Sequence, residues 1–364
     1  MFAYWLLLIA LSLGSMLHQG RRGGESSPAI AAQRPLSSDV SLLIALAAIT
    51  LMIGFRDRVG GDWNVYKYWF DRLSTGPLMM DLRQSPDEFG YTFLNWLAGQ
   101  VGGRIWLVNL ICAVPFVVGL SSLCRQQPNP WLALVVAAPL FIIVVGMGYT
   151  RQATAVGFVL IGLSGIIRGR SYWWFVFWVL IASSFHQSAL VLIPLVPLFL
   201  LRATAFSFVL LVLALAVAYY VLLPHELDRY SLGYINQVYM AKGAIFRIAP
   251  NAITGLMVLG FRRQYSAGDR EVKIWRGWAL LSIITLIAFF FVQSSVIVDR
   301  LSIYILPLQI WAWSRLPTAF GENHEPNVIL TMLVIAYSAL VLGLWLSFAN
   351  NSRYWLPYRM YQLG

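Results

Sequence analysis

Apolar residues along this chain gather in long runs broken by short polar islands. Neither the two-residue alternation of a half-buried strand nor the broad polar face of a soluble amphipathic helix recurs. Runs near spanning length lie at about 2–17, 40–55, 105–124, 131–149, 152–167, 172–185, 187–201, 205–223, 250–262, 275–292, 301–315 and 328–348. In lipid a run of this kind has to satisfy its own backbone, which selects helix. The weakest segments are 250–262 and the pair flanking His186, so the pattern predicts an all-α polytopic membrane protein of 10–12 transmembrane helices. No internal repeat is visible, which argues against a transporter built from inverted halves.

Three connections exceed the length of a tight turn. Residues 18–38 are rich in Gly, Ser, Pro and Ala and read as a linker. Residues 56–104 form the longest non-spanning section. Within it Val65–Leu73 has the aromatic and cationic mix of an interfacial helix, and Phe93–Val101 reads as a partial dip into the bilayer. Residues 224–249, with Tyr230, Tyr234, Tyr239, Lys242 and Arg247, form a second interfacial loop, read chiefly as an aromatic belt at headgroup height. The expected organisation is one multispan domain over 1–364, with 56–104 and 224–249 as its two large loops.

Composition agrees with this picture. Of 364 residues 59% are hydrophobic and 11% charged, against ~25% charged in soluble domains. A net charge of +11 is explained by positive-inside bias, supplemented by an anionic substrate, without invoking nucleic acid. Cys112 and Cys124 fall in one apolar run with no metal-like spacing. Phe2–Leu17 lacks a charged leader and reads as a retained first span, although Ala29–Ala32 loosely mimics a cleavage site.

Charge then divides the loops. If every run spans, 56–104, 148–151, 186, 224–249, 293–300 and both termini share one side. The loops at 18–38, 125–130, 168–170, 202–204, 263–274 and 316–327 share the other. The 26 Lys and Arg divide evenly, but nine of the 15 acids lie in the first set. The second set holds compact basic turns (Arg168, Arg170; Arg262, Arg263, Arg270, Lys273, Arg276) typical of cytoplasmic anchors, so the first set is expected outside.

The isolated polar residues fall in that first set. Gly54 to Tyr66 packs Arg56, Arg58, Asp57, Asp62 and the Gly60-Gly61 pair beside a span end, more than snorkelling requires. Asp87-Glu88-Phe89-Gly90-Tyr91 precedes an apolar segment, where an acid also suits a helix N-terminus. Tyr149-Thr150-Arg151-Gln152 breaks apolar sequence. An arginine at such a depth costs ~2.5–3.5 kcal/mol unless it meets a partner, so a carboxylate or phosphate is the expected neighbour. Phe185-His186-Gln187-Ser188 is a similar break, and His18, His225 and His324 stand at no metal-ligand spacing from His186. Asp299-Arg300 opens a span, with Tyr304 one turn beyond Arg300; an Asp299–Arg300 ion pair is the structural alternative there.

In this order Arg56 through Gly60, Asp62, Tyr66, Glu88-Phe89-Gly90-Tyr91, Arg151-Gln152, His186 with Ser188, Arg300 with Tyr304, and the late Trp355-Leu-Pro-Tyr358 resemble the EpsG family of bacterial exopolysaccharide polymerases, which are Wzy-like in role. The resemblance covers essentially the whole chain, and its one departure is Gly61, where Thr or Ser is more usual. It admits a GT-C-like glycosyltransferase arrangement in the bacterial cytoplasmic (inner) membrane. It implies transfer, outside the cytoplasm, of a chain carried on undecaprenyl pyrophosphate to a sugar hydroxyl of another lipid-linked unit. Flippase and chain-length or export machinery are the implied partners. The leaving pyrophosphate would be stabilised by Arg56, Arg151 and Arg300, with Arg58 in reserve, and no metal or other cofactor. The general base is Asp62, Glu88 or His186, while Tyr66, Tyr91, Gln152 and Tyr304 would position the sugar. A lipid-linked oligosaccharide flippase and an O-antigen-ligase-like transferase are the competing readings.

Overall fold

The computed structural model describes residues 1–21, 39–84, 88–200, 244–265, 267–291, 295–321 and 325–361, with isolated positions between 209 and 216. Most of the linker, most of the run expected at 205–223, most of the 224–249 loop and Asp87 lie outside the described residues.

Among the described residues the chain is helical throughout, with one isolated β-bridge. Five helices are long and apolar enough to cross a bilayer: α1 (Phe2–Arg21), α6 (Ile105–Cys124), α8 (Thr150–Ile167), α12 (Asp269–Phe291) and α15 (Val328–Phe348). Shorter apolar helices stand between them: α2 (Val40–Gly54), α7 (Pro130–Ala137), α9 (Tyr172–Ser183), α10 (Leu192–Leu200) and α11 (Ile245–Gly260). Helix α7 runs on as a π-helix over Ala138–Gly146, and a 3-10 turn at Gln187–Val191 precedes α10. The run expected at 301–315 is two helices, α13 (Ser295–Ile305) and α14 (Pro307–Ala319), because Pro307 lacks the amide needed to continue α13.

The centre of the molecule is the Pro130–Gly146 segment, in which every residue is buried. It is apolar on all sides, as a helix with no face left for lipid or water must be. Around it α6 and α8 cross closely: a Cβ at Gly119 would stand 2.1 Å from the Gly157 carbonyl oxygen, so only paired glycines permit the approach. The apolar residues of α12 and α15 instead turn outward, with Ile284, Phe290, Ile329 and Leu340 exposed.

The long 56–104 section folds as three short helices, α3 (Trp63–Leu73), α4 (Leu78–Gln84) and α5 (Phe89–Gln100). Helix α3 buries Trp63, Tyr66, Phe70 and Leu73 along one stripe, which seats it on α5 and α6 rather than through the bilayer.

Among the described residues, hydrogen bonds tie together loops within each of the two groups. On one side Gln19 Nε2 donates to the Pro326 carbonyl (2.9 Å), Asn129 Nδ2 to the Ser15 carbonyl (3.1 Å), and Arg315 Nη2 to Glu271 Oε1 (2.8 Å). On the other side the loop after α2, the Glu88 region, the α7–α8 and α9–α10 junctions, the start of α13 and the tail after α15 all bond to one another, as described next.

Candidate active site

The loop after α2 is shaped by the tail that follows α15. The Asp57 amide donates to the Arg359 carbonyl (2.9 Å), Tyr361 N donates to Phe55 O (2.7 Å), and Arg56 and Met360 form an antiparallel bridge. Further on, Gly60 N donates to Tyr354 O (2.9 Å). Trp355 is inserted below this seam. Its Nε1 donates to the π-helix carbonyl of Ile143 (2.8 Å), and its own carbonyl accepts from Tyr4 Oη (2.8 Å).

Gly60 has φ +110°, and a Cβ there would lie 2.5 Å from the Met147 carbonyl oxygen. The backbone conformation and the close approach both require glycine. Gly60→Ala is expected to cost about 1–3 kcal/mol, read as a lower unfolding midpoint of the purified protein. At Gly61 an added Cβ would meet only the Trp355 ring at 3.9 Å. A Cβ there therefore meets no close neighbour, and Gly61→Ala is the matched control, expected to shift the midpoint little.

Arg56 lies behind this loop with 1% exposure. Its Nη1 donates to the Ile53 carbonyl (2.6 Å), its Nη2 to Thr150 Oγ1 (2.6 Å) and Asn109 Oδ1 (3.2 Å), and Trp63 presents its ring 5.9 Å from the guanidinium carbon. Among the described residues it has no carboxylate partner. Burial pulls its pKa down to about 10, which still leaves it a cation at neutral pH. Arg56 thus holds α2, α6 and the first turn of α8 together, and no part of it faces outward. Arg58, by contrast, is exposed, with φ +53°.

One turn position beyond Thr150, Arg151 is partly exposed and sits in a box. Glu88 pairs with its guanidinium, while the Tyr66 and Tyr91 rings stand 5.5 and 5.8 Å from its carbon. The two rings meet edge to face at 5.9 Å. Burial raises the Tyr66 hydroxyl to about 12 despite the nearby Arg151, so it remains a neutral donor. The box has a firm base, because Gly90 N donates to Ser184 O (2.9 Å) and ties the start of α5 to the end of α9. Asp62 precedes α3 without capping it, and its half-buried carboxylate acts electrostatically on both Tyr66 and Tyr149.

His186 follows α9 directly. Its Nδ1 accepts from Ser188 N (3.3 Å) and lies 2.8 Å from Ser188 Oγ, which is 3.0 Å from the Tyr304 hydroxyl. A backbone amide can only donate, so in the neutral ring the proton sits on Nε2. Alongside, Gln152 Nε2 donates to the Arg300 carbonyl (2.7 Å), which joins α8 to α13. The structure therefore brings Glu88, Tyr66, Tyr91, Arg151, Gln152, His186, Tyr304 and Arg300 into one connected set.

A second ion pair was not apparent in the sequence. Asp299 pairs with Arg247 through two bonds, Nε to Oδ1 (2.8 Å) and Nη2 to Oδ2 (2.6 Å), and not with its neighbour Arg300. Adjacent residues on a helix point about 100° apart, so Asp299 and Arg300 face different neighbours. Arg247 belongs to the first turn of α11, which begins at Ile245 and not at 250 as expected. Its guanidinium carbon is 5.4 Å from the Tyr149 ring, two residues from Arg151. The missed signal was a stripe of buried polar residues at helical spacing, Arg247, Asn251 and Thr254, with Asn251 Nδ2 donating to Ser302 O (2.9 Å).

Among the described residues no three His, Cys, Asp or Glu side chains stand close enough to hold a metal ion. Cys112 and Cys124 are buried free thiols. No curated protein and no solved structure matches the chain. The model of the EpsG family matches residues 39–360, so the chain belongs to the EpsG family and is a membrane protein of the polysaccharide-polymerase type.

Proposed function

We propose that this chain polymerises lipid-linked oligosaccharide repeat units at the Arg151 site, on the extracytoplasmic side of the bacterial inner membrane. The observation that carries the reading is the Arg151 box. A cation held by two tyrosine faces and one carboxylate suits a leaving pyrophosphate beside a sugar. In the step, the bond from the anomeric carbon to pyrophosphate breaks and its electron pair leaves on undecaprenyl pyrophosphate. A new glycosidic bond forms to the acceptor hydroxyl, whose proton passes to a general base.

Arg151 and Arg300 stabilise the leaving oxygens. Arg56 acts through Thr150, holding the first turn of α8 in place. Tyr66 and the His186 Nε2–H donate to phosphate or sugar oxygens. The tautomer argues against His186 as the base, and Glu88 already serves Arg151. The base assigned here is Asp62, whose carboxylate acts electrostatically on Tyr66, a wall of the Arg151 box, and on Tyr149.

The test is purified protein incubated with lipid-linked repeat units in EDTA, followed as a ladder of polymer lengths. Wild type should extend the ladder, and Asp62→Asn should slow it by about 100-fold or more, with Glu88→Gln less impaired. A normal ladder from Asp62→Asn rules out that base. No ladder from wild type under any divalent-ion condition rules out the polymerase reading. A flippase would instead need its cations strung along a path across the membrane. Among the described residues the segment at the centre, Pro130–Gly146, is apolar and buried along its whole length.

A further inference from the structure

The opposite end of the molecule carries a second feature that the polymerase reading does not use. Between the α8–α9 turn and the start of α12 lies an open cavity of about 460 Å³, lined by Arg170, Arg270 and Lys273, with Ser171, Tyr172 and the apolar Ile166 and Leu200. Among the described residues Asp269 is the only acid on the lining. The positive charge there is crowded: burial and then the like charges of Arg125 and Arg170 lower the pKa of neighbouring Arg168. Two of the lining cations are held in position. Arg270 Nη1 donates to the Ile166 carbonyl at the end of α8 (3.3 Å), and Arg170 lies 5.4 Å from the Trp174 ring.

The height of the cavity is set by its surroundings. Helix α9 starts at its rim and leaves Trp173, Phe177 and Leu180 exposed at spacings of four and three residues, an apolar stripe facing outward. A tryptophan exposed at the head of such a stripe is the arrangement found at headgroup level. The cavity therefore combines cations at that level with an apolar face leading into the hydrocarbon.

We propose that this cavity binds the phosphodiester headgroup of an anionic phospholipid of the phosphatidylglycerol kind, with its acyl chains lying along the Trp173–Phe177–Leu180 stripe. Arg170 and Lys273 meet the phosphate oxygens, Arg270 is held against α8 beside them, and Ser171 is placed for the glycerol hydroxyls. The ligand joins α8, α9 and α12 on the side away from the polymerase site. It is membrane solvent put to structural use, and it does not depend on what the Arg151 site does.

The test is native mass spectrometry of the full chain released from detergent, titrated separately with phosphatidylglycerol and phosphatidylcholine. Wild type should retain one phosphatidylglycerol at concentrations where phosphatidylcholine is lost. Arg170→Gln with Lys273→Gln, which leaves Arg270 on its carbonyl, should weaken retention by about 10- to 30-fold, and Asp269→Asn should strengthen it. Millimolar inorganic phosphate should not displace the lipid. Equal retention of both lipids, or unchanged retention by the double variant, overturns the proposal. Full displacement by inorganic phosphate overturns the lipid and leaves a soluble phosphate ligand. Because the Asp269→Asn change is expected to act in the opposite direction, a misfolded double variant cannot imitate the expected pair of results.

Discussion

Arg151→Ala is expected to slow polymer formation by about two to three orders of magnitude, the loss seen when one donor to a developing oxyanion is removed. The residue is a partly exposed cation, and its guanidinium is already oriented by Glu88 and the Tyr66 and Tyr91 rings. Arg151→Lys keeps the charge but replaces the planar fork with a point charge, and should recover only a small part of the rate. The measurement is the initial rate of consumption of lipid-linked units by purified variants. A rate within about fivefold of wild type for Arg151→Ala would remove Arg151 from the chemistry. Glu88→Gln separates positioning from charge: if Glu88 only orients Arg151, its loss should cost less than the loss of the arginine.

The largest stability effect is expected at Asp299. Both partners of the Arg247–Asp299 pair are close to fully buried, with side chains 7% and 12% exposed. Asp299→Asn leaves a buried guanidinium without its counter-charge, which should cost about 3–5 kcal/mol. Replacing both partners with apolar residues, Arg247→Met with Asp299→Leu, should cost clearly less than the sum of the single changes, since no charge is then stranded. Thermal unfolding in detergent reads both. A loss under about 1 kcal/mol for Asp299→Asn would mean that water reaches the pair. The geometry also links this pair to the site, because the Tyr149 ring against Arg247 begins the turn that carries Arg151.

Much of the site was legible because an isolated polar residue in an apolar run has few explanations. Arg151 and His186 stood out for that reason, whereas Glu88, in the polar section before an apolar segment, showed its part only once it was seen paired with Arg151. What escaped were partnerships between distant segments. Asp299 could be seen only beside Arg300, while its actual partner lies 52 residues earlier, in a region read as an aromatic loop. The exposure of the arginines was equally hidden. Arg56 and Arg151 look alike in sequence, yet one is sealed among Asn109, Thr150 and Trp63 and the other is half open. Local pattern shows that a charge must be accommodated; only packing decides whether protein or substrate does so. The helix count was similarly limited. The all-buried Pro130–Gly146 segment and the break at Pro307 have the hydropathy of ordinary spans, and neither burial nor a break is visible in hydropathy alone.

The seam between residues 55–60 and 354–361 also has a consequence in time. A ribosome delivers the first of these segments before α6 to α15 are made, and the second only after all of them. Until Tyr354, Trp355 and Arg359 arrive, the Gly60 and Asp57 amides and the Ile143 carbonyl lack the partners they hold in the finished protein. The spans can enter the membrane one after another, but the loop that carries Arg56 takes its final shape only after α15 has been made. Chains stopped before Trp355 should therefore accumulate in the membrane as inserted, inactive protein.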